Sequence, residues 1–294
     1  MELRKEFVMT ARLYKTAILA TLALASCNEI TEEQLVHSEQ VETIYATIKD
    51  FEYDQDEFTR TSISIENDGP HYAWAKTDTI GIFPSKGRQV EFSMANGAGT
   101  TSATFTGGGW GLKHTSTYTA YTPLIGKYYL DKTKIPVHFS GQVQNGDASA
   151  SHLGAYDYLA SAASEVKNGG VSFNFEHLGC LVQLKLTTTS PTTFYSVTLK
   201  AENNVFAEKG YIDLTASSPS ISSATPSSGI TLEVRNITAP ANYEATFYMM
   251  IPPADLSGQT LKVVVSTDGG NKEATLLSRD FQAGKAYALS GKFK

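Results

Sequence analysis

The chain is 294 residues long and acidic, with 24 Lys and Arg against 30 Asp and Glu. That balance argues against nucleic acid and anionic membrane surfaces as partners, because both are polyanionic. The length fits two domains, with one domain as the alternative, and two cysteines are too few for a disulfide framework.

Residues 1–26 read as an export leader. Arg4, Lys5, Arg12 and Lys15 make a basic start, and Thr16 to Ala25 is an uncharged apolar run too short to span a bilayer. Met9 is an alternative start, since the signal survives from there. The run ends in Leu24-Ala25-Ser26-Cys27, which resembles a bacterial lipobox; a buried leucine-rich helix ending in cysteine is the plainer alternative. On the lipobox reading Cys27 becomes the acylated first residue of the mature chain. Two or more acyl chains, palmitate among them, hold a membrane stably. The expectation is a surface-exposed lipoprotein of the outer membrane.

Residues 27–60 follow as an anchor segment. Within it VETIYATI, 41–48, is a good β segment, with Ile44, Ala46 and Ile48 on one face and Val41 at its start. Residues 49–60 read as an acidic, solvated loop. Five carboxylates crowd DFEYDQDE, yet the glycine and terminal glutamate of a calcium loop are missing. Arg60, followed by Thr61 and the β-forming TSISI, is placed where a trypsin-like surface protease could reach it. A cut there would sever the anchor and strand 41–48 from the rest. The uncut alternative leaves Arg60 an ordinary loop arginine. We expect strand 41–48 at a sheet edge, since its release depends on that position. Loss of an edge strand bares unpaired N–H and C=O groups that template another chain.

Beyond residue 61 short apolar runs alternate with Gly, Pro, Asn, Asp and Ser clusters, and no amphipathic helix is legible. In VEFSM, Val90, Phe92 and Met94 share one face. The same alternation recurs in IPVHF (135–139), VSFNF (171–175), ITLEV (230–234), ATFYMMI (245–251) and LKVVV (261–265). STDGGN after the last favours a hairpin. One change of parity stands out: Val171, Phe173 and Phe175 are odd, Val182, Leu184 and Leu186 even. A strand changes parity only through a bulge or break, and Gly179 is the natural place. We therefore assign an N-terminal β-sandwich to 61–178 and a C-terminal one to 179–294; a bulge within one sheet is the alternative. The Ser/Thr/Pro-rich stretch 216–229 reads as an exposed loop.

The search for chemistry returns little. His37, His71, His114, His138, His152 and His177 are scattered, with no metal-ligand spacing, and His177 reads as a hydrogen-bonded structural residue. No cofactor or metal is expected. GGGWG (107–111) lacks the Lys-Ser/Thr of a phosphate loop, and no nucleophile motif appears, so no enzymatic role is assigned. Cys180, in LGCLVQL, reads as a buried small hydrophobe. Trp110, beside three glycines, is the candidate platform for stacking a sugar ring. Trp74 reads rather as core, and Asp78-Thr79-Ile80 as a strand start or, alternatively, an O-glycosylation triplet.

Six landmarks then occur in order. Trp74 with DTIGIF (78–83), TFTGGGW (104–110) with YTAYTPL (118–124), and YDYLAS (156–161) come first. VSFNFEHLGCLVQLKL (171–186), MMIPPADLSG (249–258) and FQAGKAYALSGKFK (281–294) complete the series. Together they resemble the fimbrillins, subunits of lipoprotein-derived pili in oral and gut anaerobes, although Thr77 stands where the family usually has glycine. The resemblance implies an all-β protein of two transthyretin-like antiparallel, Greek-key-type β-sandwich domains. It implies export and assembly by strand exchange after arginine-specific cleavage. Expected partners are other fimbrial subunits, an arginine-specific surface protease and a host or bacterial surface ligand. In assembly Val41, Ile44, Ala46 and Ile48 would be displaced, and Ala286, Tyr287, Leu289 and Phe293 would form a donor or groove strand. The alternative is a non-polymerising glycan-binding surface lipoprotein, which shares the leader, the acidity and the aromatic content.

Overall fold

The structure is a computed structural model that describes residues 41, 43–53, 72–107, 112–126 and 131–292. In chain order its strands are β1 (Thr43–Ile48), β2 (Glu52–Tyr53), β3 (Thr79–Pro84), β4 (Val90–Asn96), β5 (Ser102–Thr106), β6 (Thr117–Thr122), β7 (Ile135–His138) and β8 (Gln142–Asn145). After a 3-10 turn at Leu153–Ala155 come β9 (Leu159–Lys167), β10 (Gly170–His177), β11 (Cys180–Thr187), β12 (Thr192–Ala201), β13 (Phe206–Ile212) and β14 (Ile221–Ser227). The rest are β15 (Gly229–Arg235), β16 (Thr238–Ala239), β17 (Glu244–Ile251), β18 (Ala254–Asp255), β19 (Leu261–Thr267), β20 (Gly270–Leu276), β21 (Asp280–Phe281) and β22 (Lys285–Lys292). No α-helix occurs among the described residues. The chain is all-β.

Within residues 40–294 the packing gathers into two hydrophobic cores. The first lies inside a closed barrel of strand order β1-β10-β9-β6-β3-β4-β5. Trp74 is buried at 2% exposure; its indole N–H donates to the Thr101 carbonyl at 3.2 Å, and its ring meets Phe105 and Phe175 edge-on. Its hydrogen-bonded indole makes it core, as expected. Thr79 begins β3, and the Asp78 carboxylate accepts from the Ala75 N–H at 2.7 Å.

The second core is enclosed by the sheets β17-β11-β22-β2, β20-β19-β12-β15-β8 and β14-β13-β7. Alternation predicts its inward residues well: Ile135, Val137, Ile230, Leu232, Leu261 and Val263 are all buried. ATFYMMI differs. Tyr248 and Met250 are buried along with Phe247 and Met249, because β17 is covered on both faces. Pairing of Thr267 with Gly270, whose φ is +93°, closes the hairpin read from STDGGN.

The parity change has a structural counterpart. Val171, Phe173 and Phe175 of β10 point into the first core, and Val182, Leu184 and Leu186 of β11 into the second. Gly179 sits between them, where a Cβ would meet Met250, the Ile251 carbonyl and Phe139 at 3.1–3.3 Å. Strands β7 and β8, in the stretch assigned to the first sandwich, pair with β13 and β15 and help build the second core. Residues 221–227, read as loop, form a strand on β13: its side chains are polar because they face solvent, while its backbone is held by pairing.

The expected edge position of strand 41–48 is not found. β1 runs parallel to β10, from Thr43 opposite Gly170 to Ile48 opposite Phe175, and antiparallel to β5, from Ile44 opposite Phe105 to Thr47 opposite Ser102. It has a strand on either side. The apolar alternation was right about which face is buried but carries no information on how many neighbours the backbone finds.

Candidate functional site

The residues brought together lie along the segment 43–53, which touches both cores in succession. Ile44, Ala46 and Ile48 are buried in the barrel, whereas Tyr45 is 48% exposed. Beyond β1 the Ile48 N–H donates to the Thr101 carbonyl at 2.9 Å and the Lys49 N–H to that of Phe175 at 3.0 Å. The chain then leaves the barrel. Phe51 is buried in the second core, and the Glu52 N–H donates to the Gly284 carbonyl at 2.8 Å. Finally Glu52 and Tyr53 pair in parallel with Lys285 and Ala286 of β22. Residues 50–53, read as part of an acidic loop, are therefore structural. Two aromatics at alternate positions, Phe51 and Tyr53, were the signal for it.

Beneath Phe51 lies a buried polar pair. His177 Nδ1 is 2.8 Å from Asp157 Oδ1, with both side chains almost wholly buried. The Phe51 ring stacks on the imidazole with centroids 3.8 Å apart, and Tyr72 meets it edge-on at 4.8 Å. His177 Nε2 has no hydrogen-bond partner among the described residues. Burial, then the Asp157 charge, then Tyr53 push the Tyr72 hydroxyl well above its ordinary pKa, so it stays protonated and donates to the Met250 sulfur at 3.8 Å. His177 is thus the hydrogen-bonded structural residue read from the sequence. Lys49 and Glu52 form an exposed pair over the crossing, which contributes little.

On the carboxy-terminal side, Ala286, Tyr287 and Leu289 are buried on β22, which pairs with β11 from Leu181 to Thr187. The Tyr287 hydroxyl donates to the Asp280 carbonyl at 3.0 Å and accepts from the Gln282 N–H at 2.7 Å. Toward β2, among the described residues, Lys285 and Ala286 have strand partners. Val41, at the start of the segment, is half-buried against the first core. Cys27, Arg60, Thr61, Trp110 and Phe293 lie outside the described residues. Cys180 is buried, with its thiol donating to the Gln282 carbonyl at 3.1 Å. Among the described residues no group of His, Cys, Asp and Glu is arranged to hold a metal, and no helix is long and apolar enough to cross a membrane.

Comparison with known proteins gives the arrangement a context. Residues 59–294 match a family model described as fimbrillin-like. Among solved structures, a candidate cell-adhesion protein from Bacteroides ovatus aligns with a TM-score of 0.56 at 18% identity, covering 85% of this chain and 91% of that one. A second, from Bacteroides uniformis, aligns with a TM-score of 0.54 at 15% identity over the same shares. At those identities the likeness is one of fold. No curated protein matches the chain.

Proposed function

The chain belongs to the fimbrillin-like family, and from that premise we propose that it is a structural subunit or tip adhesin of a cell-surface fimbrium. In this reading Cys27 is acylated and tethers the exported chain to the outer membrane. An arginine-specific surface protease then cuts between Arg60 and Thr61. A strand from a neighbouring subunit takes the berth of β1, and a tip subunit meets a host or bacterial surface ligand. The two cores are read as two transthyretin-like domains, the second taking in β7 and β8 from the stretch before Gly179. The action is mechanical, and no catalytic step is assigned.

The observation that carries the reading is the course of residues 43–53: β1, Phe51 and β2 all precede Arg60, so one cut severs their covalent link to the body and leaves only their pairing and packing to hold them. The interior place of β1 rules out the edge release expected from the sequence and counts against exchange at this berth, which would require both of its ladders to break. A strand with two neighbours cannot be peeled off one side. Its loss breaks two ladders, at a net of about 0.5–1.5 kcal/mol per hydrogen bond, and bares two isoleucines worth about 1.5–3 kcal/mol each. An incoming strand restores both ladders, so departure and replacement are coupled, and the vacated slot offers two edges for register instead of one. Departure of Glu52 and Tyr53 also frees Lys285 and Ala286, the start of the strand proposed as donor or groove wall with Tyr287, Leu289 and Phe293. A heterologous contact of this kind extends head to tail.

The test is incubation of the purified chain with an arginine-specific protease, followed by intact mass and size analysis. A product beginning at Thr61 that then grows into oligomers supports the reading. No cut between Lys49 and Thr61, or a cut product that stays monomeric, refutes polymerisation by this route.

A further inference from the structure

Among the described residues strand β17 has one strand neighbour, β11, and its other side is met by side chains. Gln142 accepts from the Met250 N–H at 2.8 Å through Oε1 and donates to the Met250 carbonyl at 2.6 Å through Nε2. Gln144 accepts from the Tyr248 N–H at 2.8 Å and donates to the Thr246 carbonyl at 2.9 Å. The Thr246 N–H goes to the Asp147 carboxylate at 2.7 Å, and the Tyr248 carbonyl faces His152 Nε2 at 3.0 Å. Every outward N–H and C=O of Thr246, Tyr248 and Met250 therefore has a partner, and most of those partners are side chains.

Chemistry and spacing explain the fit. A glutamine amide carries the same donor and acceptor as a peptide unit. Alternate residues of β8 lie roughly 6.8 Å apart, which is the repeat of alternate residues on β17. The backbone of β8 is meanwhile paired with β15 in a different sheet, which leaves Gln142 and Gln144 to reach across. Both are 0% exposed, which is costly for an amide unless its hydrogen bonds are made. Here they are.

Two other edges among the described residues are blunted differently. β14 carries Pro226 and two register shifts against β13, and β20 carries Lys272 and Glu273. β17 has neither device: EATFYMMI pairs with β11 over eight residues without a bulge and has no proline and no charge after Glu244. An apolar edge without a strand partner templates strand addition unless its outward groups are otherwise engaged. We propose that Gln142 and Gln144 act as a side-chain surrogate strand that closes β17 against pairing with the same strand of a second copy of this chain. The inference is independent of any cleavage at Arg60.

Residue-resolved hydrogen exchange on the chain and on Gln142→Met, Gln144→Met and the double variant tests it; methionine keeps the volume and removes both hydrogen-bonding functions. In the unaltered chain the Tyr248 and Met250 amides exchange as slowly as their neighbours bonded to β11. Gln144→Met speeds Tyr248 by about tenfold or more and spares Met250; Gln142→Met does the reverse. The double variant forms concentration-dependent dimers by light scattering. Unchanged exchange in the single variants overturns the surrogate role. Faster exchange with a double variant that stays monomeric overturns the blocking of self-association. Should the double variant not fold, the single variants over the same concentration series decide the point, with monomers again counting against it.

Discussion

Phe51 lies face to face on His177, ring centroids 3.8 Å apart and planes inclined by 24°, so a residue of the amino-terminal segment lids a buried histidine–aspartate pair of the body. Truncating that lid tests how firmly the segment is held. Phe51→Ala should lower stability by about 3–5 kcal/mol in urea denaturation, the usual cost of deleting a buried phenylalanine. It should also speed exchange of the Glu52 amide, which bonds the Gly284 carbonyl just beyond. Phe51→Leu, which keeps apolar volume, should recover most of the loss. Equal losses in both variants would mean that the face-to-face contact, not apolar volume, holds the segment.

The pair beneath is expected to behave as a unit. His177→Leu leaves Asp157 buried without its partner, at a cost of at least about 1–3 kcal/mol. Combining it with Asp157→Asn should cost less than the sum of the single changes, as coupled contacts do. Strict additivity in the double-mutant cycle would mean that the 2.8 Å contact carries no energy.

The interior place of β1 is open to a direct check. In an edge strand alternate amides face solvent and exchange fast; with β10 on one side and β5 on the other, consecutive amides of Ile44 to Thr47 should all be protected. Ile44→Ala should cost about 2–5 kcal/mol, whereas exposed Thr47→Ala should stay within about 1 kcal/mol. Fast exchange at every second amide would return β1 to an edge.

His152 sets a pH dependence. Burial lowers its pKa below the ordinary 6.5, with the Tyr248 carbonyl opposing, and Nδ1, which would take the second proton, is buried with no partner among the described residues. Between its folded pKa and 6.5 the unfolded chain therefore binds more protons than the folded one. Its contribution to stability is full above about pH 6.5, falls away as the pH drops from that value to the folded pKa, and levels off below it. His152→Gln, neutral throughout, should flatten that part of the curve. Urea midpoints taken between about pH 5 and 8 for both proteins decide it, and an unchanged slope counts against the assignment.

Cys180 should be inert while the chain is folded. Burial, with a smaller push from Asp280, holds its thiol well above the usual range, so almost no thiolate exists near neutral pH. Peptide mapping after alkylation should find Cys180 unmodified in the native protein and modified in urea. Native labelling at the unfolded rate would place the thiol in solvent.

Side-chain periodicity is local chemistry, and the sequence determined what it governs. The all-β character, the inward residues of most strands, the Asp-Gly hairpin, the buried Trp74 and Cys180, and the change of core at Gly179 follow from alternation and turn residues alone. So does the family, through landmarks spread over most of the chain.

What only the tertiary structure decided is which backbones lie side by side. Ile44, Ala46 and Ile48 would alternate identically at an edge or between two strands; their neighbours Phe175 and Phe105 are far away in the chain and meet them only on folding. Phe51 and Tyr53 looked solvated among carboxylates because their partners, His177 and Ala286, come from elsewhere. Gln142 and Gln144 invert the pattern outright, buried where alternation would turn polar side chains outward, because Tyr248 and Met250 supply the hydrogen bonds that make burial tolerable. Faces are set residue by residue, whereas partners are set by long-range pairing, whose energy exists only once distant segments have come together.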